Sequence, residues 1–319
     1  MRMPEHIVPM LARLGHMPVN EDEWGFEVKW DGIRALLYSG KRKGDMRLEN
    51  RNLREITFKY PELHPLGGLD AIVDGEIVAL DDNGRPSFER LQGRMHLSTE
   101  AAVRARMNEI PARFMAFDLI WHDGRDLTDL PYTARRAALE ALDLNGDWWQ
   151  TPPWRQGEGT ALLEAARVQQ LEGVMAKRLT SPYCPGRRTQ HWIKIKVKQN
   201  QEFVVGGWQP GEGRRERTIG SLLLGYFADG VFRYAGKVGT GFKERDLTML
   251  VKELKSRKRS TSPFMPPPSP PRGVIFAEPE LVAEIEFTEW TREGILRNPA
   301  YKGLRDDKPA TDVVREVAI

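Results

Sequence analysis

A short apolar strand that ends in a lysine and runs at once into Asp-Gly constrains this chain more than any other feature. Phe26-Glu27-Val28 and Ala35-Leu36-Leu37-Tyr38 read as two such strands meeting at a turn at Asp31-Gly32. Lys29-Trp30-Asp31-Gly32-Ile33-Arg34 then puts Lys29 at a strand end, with Asp31 and Arg34 presented from the same turn. Rigid placement suits a nucleophile, because effective molarity depends on holding the reacting atom within reach. A lysine amine attacks only when neutral, and a free pKa of about 10.4 leaves it charged at pH 7. Partial burial and nearby cations would lower that value. A plain hairpin in which Lys29 pairs with Asp31 explains the segment equally well in isolation.

The 319 residues leave room for two domains, and 48 Lys plus Arg against 45 Asp plus Glu give a net charge of only +3. Bulk charge therefore does not argue for nucleic acid, but its distribution suits one basic face. Lys41-Arg42-Lys43, Arg187-Arg188, Lys194/Lys196/Lys198, Arg214-Arg215 with Arg217, and Lys252 to Arg259 are dense clusters, each also compatible with an ordinary solvated surface. One cysteine, Cys184, excludes a disulfide framework, and the six histidines lack ligand spacing. The N-terminus has no signal-peptide core, and no run reaches the roughly 18 apolar residues that span a bilayer. These features predict a soluble, cytoplasmic protein with no membrane contact.

Strands are expected at 71–80, 113–121, 173–177 and 192–196, and helices at 87–92, 99–109, 132–142 and 160–171. The mixture lacks βαβ regularity, which predicts an α+β fold of antiparallel sheets with flanking helices. After Lys198 the texture changes to short β runs with Gly-rich turns and one helix, 243–258, as in a small Greek-key barrel of the OB type. The expected domains are 1–198 and 199–319. The Pro-rich stretch 262–271 reads as a stiff loop inside the barrel rather than a linker.

Two further patterns bear on chemistry. In Trp192-Ile193-Lys194-Ile195-Lys196, alternation puts both lysines on one face and both isoleucines in the core. Glu76 and Glu172 interrupt apolar strands, where an unpaired carboxylate is costly. Either a divalent cation or ion pairs with buried lysines would compensate them.

Together these segments resemble the covalent nucleotidyltransferases, and most closely the ATP-dependent DNA ligases, over about residues 6–313. Lys29-Trp30-Asp31-Gly32-Ile33-Arg34 is similar to the family's first motif and Arg51-Asn52 to the next, although Asn50 stands where relatives usually carry serine and Leu53 where they often carry glycine. Asp74-Gly75-Glu76, Ala116-Phe117-Asp118, Leu171 to Lys177 and Trp192 to Lys196 follow in order. Leu296 to Tyr301 and Leu304 to Lys308 are similar to the last motif.

The resemblance implies that Lys29 attacks the ATP α-phosphate, with Asp31 as an orienting partner and Arg34, Arg51, Lys194 and Lys196 as cations around the phosphates. Arg305 and Lys308 would join them as the OB domain closes. It implies adenine contacts from Glu27, Phe117 and Lys177, with ordinary strand, core and strand-end roles as the competing readings. Glu172 would hold Mg²⁺ or Mn²⁺, and Glu76 the metal or the ribose. Arg94 would touch DNA or cap a helix.

The implied activity seals 3′-OH/5′-phosphate nicks in duplex DNA through lysyl-AMP and DNA-adenylate, in repair and end joining. The implied setting is the compact bacterial ligase module, monomeric and nucleoid-associated, either alone or as part of a larger repair protein. An end-bridging protein and a polymerase or primase are its candidate partners. An mRNA-capping guanylyltransferase, an RNA ligase and an inactive nick-binding module are the alternatives. ATP-versus-GTP labelling, nicked DNA against nicked RNA, and a test for covalent AMP separate them.

Overall fold

The computed structural model describes residues 2–197, 199–211, 218–268 and 273–316. Lys198, the Arg214-Arg215/Arg217 cluster and part of the Pro-rich stretch lie outside them. The chain divides into two compact units, one ending at Val197 and the other spanning Lys198–Glu316.

The first unit runs β1 (Leu11–Leu14), β2 (Trp24–Val28), β3 (Ile33–Ser39), β4 (Met46–Asn50), β5 (Ala71–Ala79), α1 (Phe88–Met95), α2 (Glu100–Arg106), β6 (Ala112–His122), β7 (Arg125–Asp126), α3 (Tyr132–Ala141), β8 (Trp149–Gln150), β9 (Arg155–Gln156), α4 (Gly159–Val168), β10 (Gly173–Arg178) and β11 (Arg188–Lys196). One sheet has the order β1-β11-β10-β2-β9 and the other β4-β3-β5-β6-β7, with β8 beside β6. Pairing is antiparallel except for β1 on β11 and β8 on β6, a departure from the wholly antiparallel sheets expected.

The β2 and β3 strands do not form the hairpin that the Asp31-Gly32 turn suggested. β2 pairs with β10 and β9, β3 with β4 and β5, so the turn is a crossover between sheets. Gly32 permits it: a Cβ there would lie 2.2 Å from the Ile77 carbonyl oxygen. Local apolar patterning cannot tell a hairpin from such a crossover, because both need two strands and a turn.

Three apolar layers follow from strand alternation. Phe26, Val174, Ala176 and Ile195 pack with Leu162, Leu163 and Ala166 of α4 on the outer side of the first sheet. Ala35, Leu37, Val73, Ile77, Phe114 and Ala116 pack with Leu91 of α1 and Leu139 of α3 on the outer side of the second. Met10, Leu36, Tyr38, Ile72, Ile120, Trp121, Tyr183 and Trp192 form the layer between the sheets, with Phe117 and Met175 against it. The chemistry-bearing residues line the polar end of that middle layer.

Arg94 neither caps a helix nor reaches solvent. It is fully buried, with NH1 2.9 Å from Glu62 Oε1 and 2.8 Å from the Ile110 carbonyl, and Glu62 also accepts from the Ala112 amide. Its charge ties α1 to the start of β6. A buried guanidinium is tolerable when its two terminal nitrogens find carboxylate and carbonyl acceptors in this way, here with no partner for Nε among the described residues.

The second unit runs β12 (Gln199–Pro210), β13 (Ile219–Ala228), β14 (Val231–Val238), α5 (Glu244–Lys255), β15 (Lys258–Arg259), β16 (Ile275–Ala277), β17 (Val282–Phe287), β18 (Glu289–Trp290), β19 (Leu296–Arg297) and β20 (Ala300–Arg305). β12 is long enough to pair with β13 on one edge and, on the other, with β17 through its first half and β16 through its second. One curved strand shared between neighbours in this way, with Leu247, Leu250 and Leu254 of α5 packed into the core, fits an OB-type barrel.

Candidate active site

Register places the site residues in rows across the first sheet. Gly25, Lys177 and Trp192 lie in one row and Glu27, Met175 and Lys194 in the next. The Lys29 amide donates to the Gly173 carbonyl at 2.9 Å, and Gly173 is opposite Lys196, which completes a third. These side chains share the inner face, while Ile193 and Ile195 face α4, as the alternation requires. Gly173 is obligatory: a Cβ would lie 2.1 Å from the Ile195 carbonyl oxygen and force β10 from β11.

Lys29 Nζ donates to Glu172, whose other carboxylate oxygen is 3.8 Å from Lys196 Nζ. Burial alone would lower the Lys29 pKa, but Glu172, and beyond it Glu76 and Asp31, outweigh burial and hold the amine protonated. This reverses the expectation of a lowered pKa, because the amine's nearest charges are carboxylates rather than cations. Both glutamates act on Lys29, so the structure gathers Lys29, Asp31, Glu76, Glu172 and Lys196 at one end of the middle layer. Glu172 makes ion pairs with Lys29 and Lys196, the arrangement that competed with a metal role.

Beside this cluster is an aromatic enclosure. Lys177 Nζ sits 4.5 Å from the ring centroids of both Phe117 and Trp192 and 5.1 Å from that of Tyr132. Lys177 is 1% exposed, so it is no solvated strand end. It pairs with Glu27 at 2.9 Å and donates to the Phe117 carbonyl at 2.9 Å, and burial depresses its pKa despite Glu27. Glu27 also accepts from Tyr132 and lies 3.6 Å from Arg136, so its carboxylate is committed within the protein.

Phe117 is presented by a bulge: Asp74 faces Asp118 and Gly75 faces Ala116, leaving Phe117 as the extra residue. Such a bulge re-aims a side chain. The Arg135–Asp118 ion pair, wholly buried and bidentate at 2.8 and 3.0 Å, fixes the strand just beyond it.

The remaining cations divide by location. Arg34 Nε donates to Asp74 Oδ1 at 2.9 Å and NH2 to Asp74 Oδ2, so its charge is matched beneath the enclosure rather than free for phosphate. Arg51 is half-buried on the turn after β4, and Asn50 Oδ1 shapes that turn by accepting from the Asn52 and Arg54 amides at 3.0 and 3.1 Å. Leu53, on the same turn, has φ +58°. Arg305 and Lys308 belong to the second unit, Arg305 paired with Asp307 and Glu284, and Lys308 with Glu202 at 3.2 Å.

The composition of the enclosure suits a purine nucleotide. Trp192 Nε1–H is buried without a hydrogen-bond partner among the described residues, a donor that a ligand acceptor would satisfy. Among those residues no three His, Cys, Asp or Glu side chains cluster as a metal site. Glu76 and Glu172 fit instead the pattern in which one or two carboxylates hold Mg²⁺ together with phosphate oxygens. Sequence reasoning placed Asp74 in a motif without giving it a role and missed Tyr132, Arg136 and Tyr183, all of which act from under the site. Only Asp74, in an apolar run, carried a signal.

Comparison with known proteins gives the lineage. Residues 9–196 match the ATP dependent DNA ligase domain, and residues 215–308 match the ATP dependent DNA ligase C terminal region. The chain belongs to the ATP-dependent DNA ligase family. It is 40% identical over 320 residues to the multifunctional non-homologous end joining protein LigD of Mycolicibacterium smegmatis, covering 98% of this chain and 40% of that protein. The Pseudomonas aeruginosa protein of the same name is 39% identical, with 98% and 37% covered.

This chain therefore spans about two fifths of the length of these curated relatives. The structure of mycobacterial DNA ligase D complexed with ATP and MES aligns at a TM-score of 0.70 with 37% identity, covering 97% of this chain and 98% of that one. The ligase domain of M. tuberculosis LigD aligns at 0.53 with 38% identity, over 97% and 98%. The α+β fold and the family resemblance read from the sequence are both borne out. No helix among the described residues is long and apolar enough to cross a membrane.

Proposed function

We propose that this chain is an ATP-dependent DNA ligase that seals nicks by way of lysyl-AMP, serving repair and end joining. The observation that carries the reading is the row of Lys29, Gly173 and Lys196 with Glu172 bridging the two amines, together with the aromatic enclosure of Phe117, Trp192 and Tyr132 around Lys177. Residues 1–198 act as the nucleotidyltransferase domain and 199–319 as the OB domain. Lys29 Nζ forms a bond to the α-phosphorus, pyrophosphate leaves with the electron pair of the broken P–O bond, and the amine gives up its proton. AMP then passes to the 5′-phosphate, and the 3′-hydroxyl displaces it. Each step is an in-line displacement in which positioning and charge neutralisation are the protein's contribution.

Glu172 and Glu76 would hold Mg²⁺ or Mn²⁺, which would neutralise phosphate charge. Lys194 and Lys196 face the phosphates, with Arg51 at the rim, and Arg305 and Lys308 join only after exchanging their carboxylate partners. Asp31 orients Lys29. Phe117 stacks on adenine, for about 1 kcal/mol, and Lys177 and Glu27 define the base edge. Arg34 supports the enclosure from below. Nicked duplex DNA is the substrate, the setting is the bacterial nucleoid, and an end-bridging protein and a polymerase or primase are the expected partners.

Intact-mass measurement after incubation with ATP and Mg²⁺ tests the reading. We expect one adenylate adduct on the wild type and none on Lys29→Ala. An unmodified wild type, or an adduct with GTP but not ATP, would overturn it.

A further inference from the structure

The phenol of Tyr183 closes a circuit that no feature of the proposed chemistry requires. Tyr183 is 2% exposed, and its hydroxyl donates to Asp74 Oδ2 at 2.7 Å while accepting the Met10 amide at 3.0 Å. Asp74 in turn receives Arg34, and Arg34 NH1 returns to the Met10 carbonyl at 2.5 Å. Both backbone groups of Met10 are thus used, and the loop before β11, the lead into β1, β3 and β5 are joined by four buried or half-buried groups. A phenylalanine would pack equally well against Trp192, which the tyrosine ring meets edge-on at 5.6 Å and 82°. The hydroxyl adds these hydrogen bonds and a longer one accepted from Arg34 NH2 at 3.4 Å, and burying it unpaired would be costly.

The circuit bears on the enclosure through Arg34. That guanidinium lies 5.5 Å from the Phe117 ring centroid and 5.3 Å from that of Trp192, which are themselves edge-on at 6.1 Å. Fixing Arg34 from both sides fixes the gap between the two rings that hold Lys177. We propose that Tyr183 is a positioning residue for nucleotide capture, acting through Asp74 and Arg34 on the Phe117–Trp192 enclosure. This rests on the reading of that enclosure as the adenine pocket. Preorganised rings lose less freedom when a base enters, so their loosening weakens ATP binding more than it slows attack at the phosphorus.

The test compares wild type with Tyr183→Phe in single-turnover self-adenylation across ATP concentrations with Mg²⁺ present. We expect the ATP concentration for half-maximal rate to rise about tenfold, while the rate at saturating ATP changes less than threefold. Incorporating 3-fluorotyrosine at 183, which restores the hydroxyl, should return the wild-type value. An unchanged half-maximal concentration in a folded Tyr183→Phe protein would overturn the proposal, as would equal losses in both parameters or failure of the fluorotyrosine rescue. Should Tyr183→Phe not fold, the α-hydroxy analogue of methionine at position 10, which replaces the Met10 amide N–H with an ester oxygen and keeps the buried side chain, reads the same parameter: a wild-type value overturns the proposal and a raised one supports it. A wild type that forms no adenylate at all would instead defeat the reading of the site, a distinguishable result.

Discussion

At the scale of single residues, the site is a balance of charges that ATP and metal would upset. Carboxylates hold Lys29 protonated, so below its pKa each pH unit gained raises the neutral fraction about tenfold. Self-adenylation should therefore accelerate with pH from 6 to 9, and deleting a carboxylate should expose the amine. Competitive acetylation at pH 8 is expected to label Lys29 at least about tenfold faster in Glu172→Gln than in wild type, since one unit of pKa is one decade of free amine. The same sign applies to stability. The raised pKa gives a contribution that is full below the unfolded value near 10.5 and is lost at higher pH. Leu53 makes a separate prediction. Its φ of +58° costs a Cβ-bearing residue about 1 kcal/mol, and asparagine tolerates that region better. Leu53→Asn should raise the unfolding free energy by roughly 0.5–1 kcal/mol in urea titration, with adenylation unchanged.

At the scale of elements, β10 and β11 form a lever between core and chemistry. Ile195 is 6% exposed in the layer under α4, so Ile195→Ala should cost about 2–4 kcal/mol in chemical denaturation. Gly173→Ala should cost more than about 2 kcal/mol and reduce adduct formation as well, because it parts the strands that align Lys29 with Lys196. The β11 alternation was legible because period two needs only the order of residues. The Phe117 bulge was not, since a bulge is a relation between two strands. Nor was the sheet exchange at Asp31-Gly32, where the partners of β2 lie more than a hundred residues downstream. The burial of Arg94 and the supporting circuit of Tyr183 escaped for the same reason: long-range ion pairs leave no local pattern, and an arginine reads as surface until its carboxylate is found.

At the scale of the whole molecule, the proposed ligase reading requires a chain with a net charge of +3 to grip a polyanion. Attraction must come from local clusters, because the Debye length of about 8 Å in physiological salt hides the distant balance of charges. Lys41-Arg42-Lys43, exposed on the turn between β3 and β4, is one such cluster. The exposed Lys41 is 3.6 Å from the half-buried Asp70, a single long contact of small worth that phosphate would displace readily. If the cluster meets the duplex, each phosphate it neutralises contributes about 0.9 to the slope of log affinity against log salt. Replacing all three residues with serine should then lower the magnitude of that slope by about one to three for a nicked duplex under non-sealing conditions. The adenylate adduct should form at the wild-type rate, because the cluster follows the Ser39 end of β3 whereas Lys29 precedes its Ile33 end. Fluorescence anisotropy across a salt series measures the slope. An unchanged slope would move the DNA-binding surface elsewhere on the chain, whereas loss of the adduct would mean that the turn supports the fold.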